Sequence, residues 1–253
     1  ASAQANRRSA DAALQGTGGW VLNSEVPTME GWLDAFGATV LAPDGETYTF
    51  STTQTTQALS FLKDLADKSC AWSAQDAAPS REFAARQALF LAGSLAGLDA
   101  QAVALKTAGS KDDWTVIPFP SAAGKPVAIA YGPSFAVLQS NPEKQLAAWT
   151  FARWMTSPQN QARWIENTAS LPLGAQVQPL LADYTAAHPQ WAAALKLLPY
   201  LRLEPQAASW DTVRWSLSDA CDRLFSPLFP ANLIPQLVSM LNDTAAELAG
   251  RAH

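Results

Sequence analysis

Hydrophobic and polar positions along this chain follow two periods that alternate. In TTQTTQALSFLKDLADKS, residues 52 to 69, Ala58, Leu59, Leu62 and Leu65 recur at helical spacing with lysines and aspartates opposite, which predicts an amphipathic helix. Further helices are expected through about residue 14 until the glycines of GTGG, over 28 to 36 with a stop at Gly37, and over SREFAARQ, where Ser80 is the expected cap. Another is expected over 98 to 107. Asn141-Pro142 and Ser157-Pro158 each place a capping side chain before a proline suited to a first helical turn. They open PEKQLAAWTFARWMT and PQNQARWIENT. A proline-punctuated helical region over 176 to 205 and a last helix, ANLIPQLVSMLNDTAAELAG, complete that set. Between them lie short extended runs: 20 to 22, ALFLAG, and the expected buried strands WTVIPFP and KPVAIAYGPSFAVLQ, separated by a turn at Ala123-Gly124. Asp44-Gly45 marks a tight turn. Helices alternating with single short strands describe an α/β chain with strands buried between helical layers.

One segment breaks its own pattern. In ASWDTVRWSLSDACDRLF a helical period places Trp210, Val213, Leu217, Ala220, Cys221 and Leu224 on one apolar stripe, and Arg214 lies on its flank. An arginine there either lays its methylenes over a core with its head in water, or marks the place where the stripe ends at a ligand cleft.

Composition narrows the classes. The chain has 253 residues, 48% hydrophobic and 15% charged, which describes a globular chain long enough for one large domain or two modest ones. The net charge of −5, with no basic run longer than Arg7-Arg8, argues against nucleic-acid and anionic-membrane surfaces. The most apolar stretch, ALFLAGSLAGL, is far short of the roughly 20 residues a bilayer span needs. The first residues, ASAQANRRSADAAL, carry neither the apolar core nor the cleavage pattern of a leader, which is therefore absent, already removed or outside this sequence. Cys70 and Cys221 are far apart and His188 and His253 are the only histidines, so the usual zinc frameworks are excluded. The two cysteines could pair in an oxidising compartment, or Cys221 could be an ordinary buried thiol.

Enzyme signatures are missing. There is no GxSxG, no GxGxxG after a strand, no GxxxxGK[ST] and no HExxH, and carboxylates such as Glu82, Asp112, Asp113 and Glu166 fall on solvated faces or turns. No cofactor or metal is expected. Tryptophan is abundant, ten in all. Trp20, Trp32, Trp114, Trp149, Trp154, Trp164 and Trp210 lie on apolar faces that suit core packing, whereas Trp215 should face away from the stripe. An aromatic face beside a hydrogen-bonding arginine suits a sugar or polyol, whose C–H faces stack while its hydroxyls are bonded.

The order of phrases says more than any one of them. FAARQALFLAGSLAGL, WTVIPFP, AYGPSFAVLQSNPEKQLAAWTFARWMTSPQNQARWIENTASLPL and EPQAASWDTVRWSLSDA together resemble the extracellular solute-binding proteins of ABC importers, in their large sugar-binding class. The resemblance covers nearly the whole chain from about Trp20 onward. It implies an α/β, periplasmic-binding-protein-like fold, a two-lobed clamp of which this chain holds mostly the second lobe. Residues 1–130 would be the first part of the second lobe, 131–174 a crossing strand and return segment of the first lobe, and 175–253 the closing helical part of the second. The N-terminal part of the first lobe would then precede Ala1 or lie on another chain. Without it the apolar face at Trp149, Phe151 and Trp154 should be exposed or covered by another chain.

Within that class the phrases are nearest to binders of glycerol 3-phosphate, glycerophosphodiesters and sugars. The resemblance places Arg214 on an arginine that holds phosphate in such proteins, Ser94 on a ligand-bonding serine and Gly132 on a glycine of the crossing strand. Tyr131 and Trp210 would supply apolar walls. Ser170, in TASLPL, stands where the class has an aromatic ligand contact, and Ser94-Leu95 lacks the stacking tryptophan of maltodextrin binders. Relatives of the maltose type also carry the arginine, so it does not by itself specify phosphate. The expected role is capture of a small polar solute and its delivery to a membrane permease, in the periplasm or outside the cell, with or without a lipid anchor. A carbohydrate-active enzyme using carboxylates, and a binding-protein fold reused as sensor or scaffold, are the alternatives.

Overall fold

The computed structural model describes residues 18–73, 79–121, 124–132 and 134–251. The helix expected through residue 14, the residues at His253 and part of the turn at Ala123 lie outside them.

Strand β1 (Trp20–Leu22) is the centre of a parallel three-stranded sheet, flanked by β2 (Ala71–Ser73) and β3 (Phe90–Leu91). Helix α1 (Val26–Ala35) follows β1 directly, with Pro27 in its first turn and Gly37 at φ +79° beyond its end, the backbone region where glycine carries no Cβ penalty. The Asp44-Gly45 turn is locked by Asp44, whose carboxylate accepts from the Glu46 and Thr47 amides at 2.9 Å each and is held down to about pKa 2 by those bonds. Helix α2 (Thr53–Asp67) starts where the Thr52 hydroxyl accepts from the Thr55 amide at 3.1 Å. It buries Ala58, Leu59 and Leu62. After α3 (Ser80–Ala84) and β3, helix α4 spans Leu98–Thr107.

Strand β4 (Ala128–Ala130) pairs in parallel with β5 (Leu201–Leu203), Ala128 opposite Leu201 and Ala130 opposite Leu203. Between them lie α5 (Pro142–Met155), α6 (Pro158–Thr168), a 3-10 stretch over Ala175–Leu181, α7 (Ala182–Ala187) and α8 (Pro189–Leu195). The chain then forms α9 (Trp210–Leu224) and α10 (Ile234–Arg251). Among the described residues no helix is long and apolar enough to cross a membrane.

The main core is made by α1, α2, α9 and α10 around β1 and β2. Its contribution from α9 is the six-residue stripe read from the sequence: Trp210, Val213, Leu217, Ala220, Cys221 and Leu224 are all buried. A smaller core joins Ala162, Ile165 and Ala169 to Val177, Leu181 and Trp191. The Trp191 indole N–H donates to the carbonyls of Ala169 and Ser170 at 3.1 and 3.2 Å, which pins the TASLPL turn where Ala169 leaves α6 at φ +53°.

Several expectations change. Ser80 lies inside α3, whose cap is Pro79, and makes no capping bond. Asn141 caps α5 through the Lys144 amide at 3.0 Å, but the Ser157 hydroxyl turns back to donate to the Trp154 carbonyl at 2.7 Å instead of capping α6. The two long buried strands are not formed: the WTVIPFP run contributes an isolated bridge between Phe119 and Val127, and among the described residues after Ala130 no strand forms before β5. A strand needs a neighbour for its N–H and C=O groups. Among the described residues β4 has one only for three residues, so Phe135 and Leu138 stand open at 60% and 81% exposure. Strand β5, hidden in the region read as helical, is that neighbour. Cys70 is half-buried and Cys221 buried, and both are free, so the pairing alternative is not realised.

Candidate ligand-binding site

Among the described residues the five strands are each parallel to their neighbours, and four of them end at the same group of side chains. Three residues past β1 stands Glu25, and three past β3 stands Ser94. Tyr131 and Gly132 follow β4 at once, and Glu204 follows β5. The crevice outside the carboxyl ends of parallel strands is where α/β proteins present ligand groups, because consecutive loops converge there from a rigid sheet. Two further bonds tie these loops together. The Asn23 amide donates to the Ala92 carbonyl at 3.0 Å, joining the β1 and β3 ends, and the Ser218 hydroxyl donates to the Ser24 carbonyl at 3.0 Å, holding α9 against the β1 end.

Arg214 is the cation of this group. Its Nη2 donates to Glu204 Oε1 at 2.9 Å, with the two side chains 25% and 12% exposed. Its Nε is buried with no partner among the described residues, and its guanidinium carbon lies 5.8 Å from the centre of the Trp215 ring. The guanidinium is thus ion-paired and partly buried instead of standing free on the surface. Burial raises the Tyr131 hydroxyl above its ordinary range, a bond from Ser94 opposes that, and Glu25, Glu204 and Arg214 all act on it through space. Ser94, Tyr131, Glu204 and Arg214 thus form one constellation. Gly132 borders open space, since a Cβ placed there would meet nothing within 4 Å.

Trp210 does not join them as a wall. It is 4% exposed, lies in the main core and stacks on Tyr48 with ring centres 6.1 Å apart. Its position at the head of the stripe explains this: residue 210 shares the face of Val213 and Leu217, both fully buried. Trp215, 62% exposed, is the aromatic that stays in reach of Arg214.

Acidic residues missed by sequence reasoning complete the surroundings. Glu30 of α1 is 3% exposed, and its Oε2 is buried without a partner among the described residues. Burial drives its carboxyl up to about pKa 8, Glu204 and Asp34 push the same way, and Arg214 opposes them. Burial also raises Asp34 to about pKa 6 against the pull of Arg202. A signal for Glu30 was available: Val26, Met29, Glu30 and Leu33 fall on one helical face, so a carboxylate interrupts the α1 stripe as Arg214 interrupts that of α9. Helices α1 and α9 pack together, bringing the two interruptions to one end of the core. Glu204 carried no such signal, since β5 was not recognised. Among the described residues no group of three or more His, Cys, Asp or Glu is arranged to hold a metal.

The model of the bacterial extracellular solute-binding proteins matches residues 4–212. No curated protein sequence matches the chain. Among solved structures the chain is similar to the sugar-binding protein MalE of Xanthomonas citri, with a TM-score of 0.78 at 17% identity, covering 92% of this chain and 58% of that one. The maltose/maltodextrin-binding domain MalE of Bdellovibrio bacteriovorus, bound to maltotriose, gives a TM-score of 0.69 at 19% identity over 96% of this chain and 63% of its own. UgpB of Mycobacterium tuberculosis, in complex with glycerophosphocholine, gives 0.64 at 18% identity over 93% and 58%. The chain thus has an α/β periplasmic-binding-protein fold and spans about 60% of the length of these proteins.

Proposed function

Since the chain belongs to the bacterial extracellular solute-binding proteins, a non-enzymatic class, we propose that it is the substrate-binding component of an ABC importer. On this reading it captures a small hydroxyl-rich solute, a sugar or a glycerol phosphate derivative, at the carboxyl ends of its strands and presents it to a membrane permease in the periplasm or outside the cell. The observation that carries the reading is the convergence of Ser94, Tyr131, Glu204 and Arg214, one hydroxyl, one phenol, one carboxylate and one guanidinium from four separated segments. Such a set brings donors and acceptors together, which is what a polyol requires. Gly132 lets a ligand approach the backbone there, and Trp215 offers a face for stacking.

The division at residues 130 and 174 belongs to the same proposal. The exposed face of α5, with Trp149, Phe151 and Trp154 each 55–57% exposed, is assigned to contact with first-lobe residues that precede Ala1 or lie on another chain. Lobe closure on a solute would then be favoured by the contacts that the solute makes only in the closed state.

A thermal-shift screen with sugars, polyols and glycerol phosphates tests the function. A binding solute present at about 100 times its Kd stabilises the chain by about 2.7 kcal/mol, and Arg214→Ala should abolish that response in a chain that still folds but melts below the parent, because Glu204 is left unpaired. A solute response that survives Arg214→Ala unchanged removes this site.

A further inference from the structure

We propose that Glu204 sets the charge selectivity of this site: by holding Arg214 it turns a guanidinium that would attract phosphate into half of a donor–acceptor pair for neutral, hydroxylated solutes. The inference rests on the solute-binding reading above and narrows its ligand class. Arg214 donates to Glu204 Oε1 at 2.9 Å, and both side chains are largely buried. A free guanidinium offers a planar fork of donors that phosphate oxygens fill two at a time. Here one arm of the fork, Nη2, is already bonded to an anion, so a phosphate taking that arm would compete with the Glu204 carboxylate and leave it buried and unpaired.

The surroundings act in the same direction. Glu30, 3% exposed with an unpartnered carboxylate oxygen, senses both Glu204 and Arg214, and Glu25 reaches Tyr131 together with them. A ligand anion would therefore enter against the Glu204 and Glu25 carboxylates with one arginine in its favour, while Glu30, which keeps its proton up to about pH 8, adds no charge at neutral pH. A hydroxyl meets no such conflict, since it donates to Glu204 and accepts from Arg214 while the pair stays intact. A pair of neighbouring hydroxyls does both at once. Selectivity thus comes from the penalty placed on the wrong ligand as much as from contacts to the right one.

The test is calorimetric titration of the whole chain, as wild type, E204Q, R214M and the double variant, with inorganic phosphate, glycerol 3-phosphate, maltose and glycerol. E204Q keeps the side-chain shape and an acceptor for Arg214 but removes the charge. It should bind phosphate and glycerol 3-phosphate at least about tenfold more tightly than wild type, and the double variant should lose that gain. Wild type binding phosphate as tightly as E204Q, or a gain that persists without Arg214, overturns the proposal. If E204Q does not fold, R214M decides: an unchanged phosphate affinity supports an arginine already neutralised by Glu204, and a tenfold loss shows an arginine free to hold anions and overturns the proposal. Maltose and glycerol report separately on the parent reading. No heat from either, or from any solute of the thermal-shift screen, counts against the solute site, while the selectivity of Arg214 is still read from phosphate.

Discussion

Helices α9 and α5 are nearly equal in length and both rich in aromatic residues, yet α9 buries six side chains and α5 buries none. Both carry apolar residues at helical spacing, and α5 even has the better start, capped by Asn141 where Ser209 makes no capping bond to α9. What separates them is what lies opposite. The stripe of α9 meets α1 and α10, so Val213, Leu217, Cys221 and Leu224 reach zero exposure. Helix α5 touches α6 at one end, and the Leu146, Trp149, Phe151 and Trp154 side chains stand 55–65% exposed. A local pattern states which face wants burial. It takes a partner to satisfy it.

The sharpest way to break this comparison is to truncate one side chain on each helix. Leu217→Ala should cost about 2–5 kcal/mol of unfolding free energy by urea titration, the range for removing a fully buried leucine. Trp149→Ala should stay within about 0.5 kcal/mol of the parent in this chain, as a surface change does. Equal costs would mean that α5 is packed in solution.

Smaller in size but sharper in sign is Glu30→Gln. The folded chain holds the Glu30 proton up to about pH 8 against an ordinary value of 4.5, so between those values it binds more protons than the unfolded chain and loses stability as pH rises. The variant removes that loss. It should be more stable than the parent by about 1–3 kcal/mol at about pH 9 and should converge on it toward about pH 5. A difference that does not change with pH would show that Glu30 is not the titrating group. The least energetic contrast is chemical. Burial raises the Cys221 thiol and shields it, so iodoacetamide should modify Cys70 and leave Cys221 until the chain unfolds, as mass spectrometry of the native protein would show.

The sequence disclosed the parts of the fold that depend on local period. The α9 stripe, the strand at Trp20–Leu22 and the helix over Leu98–Thr107 could each be read from spacing and end signals. The strands expected over WTVIPFP and KPVAIAYGPSFAVLQ were not legible in the same way, and only Ala128–Ala130 forms one, because extended apolar runs become strands only when another segment supplies hydrogen bonds. Strand β5 was invisible for the converse reason: three residues, LRL, carry too little period to stand out among prolines. The candidate site followed suit. Arg214 was legible because a charge on an apolar stripe is an anomaly, and Ser94, Tyr131 and Gly132 because of a resemblance in the order of phrases. Glu204, the partner that gives Arg214 its character, depended on β5. Trp210, expected from its place near the ligand end to form a wall, sits in the core against Tyr48, because it heads the buried stripe.

The central claim is that the first turns of α9 and the strand ends face a solute while the exposed face of α5 does not. Hydrogen exchange of the chain, with and without a solute selected by the thermal-shift screen, reads both regions at once. The account predicts that saturating solute slows exchange in peptides covering 128–132 and 201–217 and leaves 142–155 unchanged. Protection confined to 142–155, with 201–217 unaffected, would contradict it.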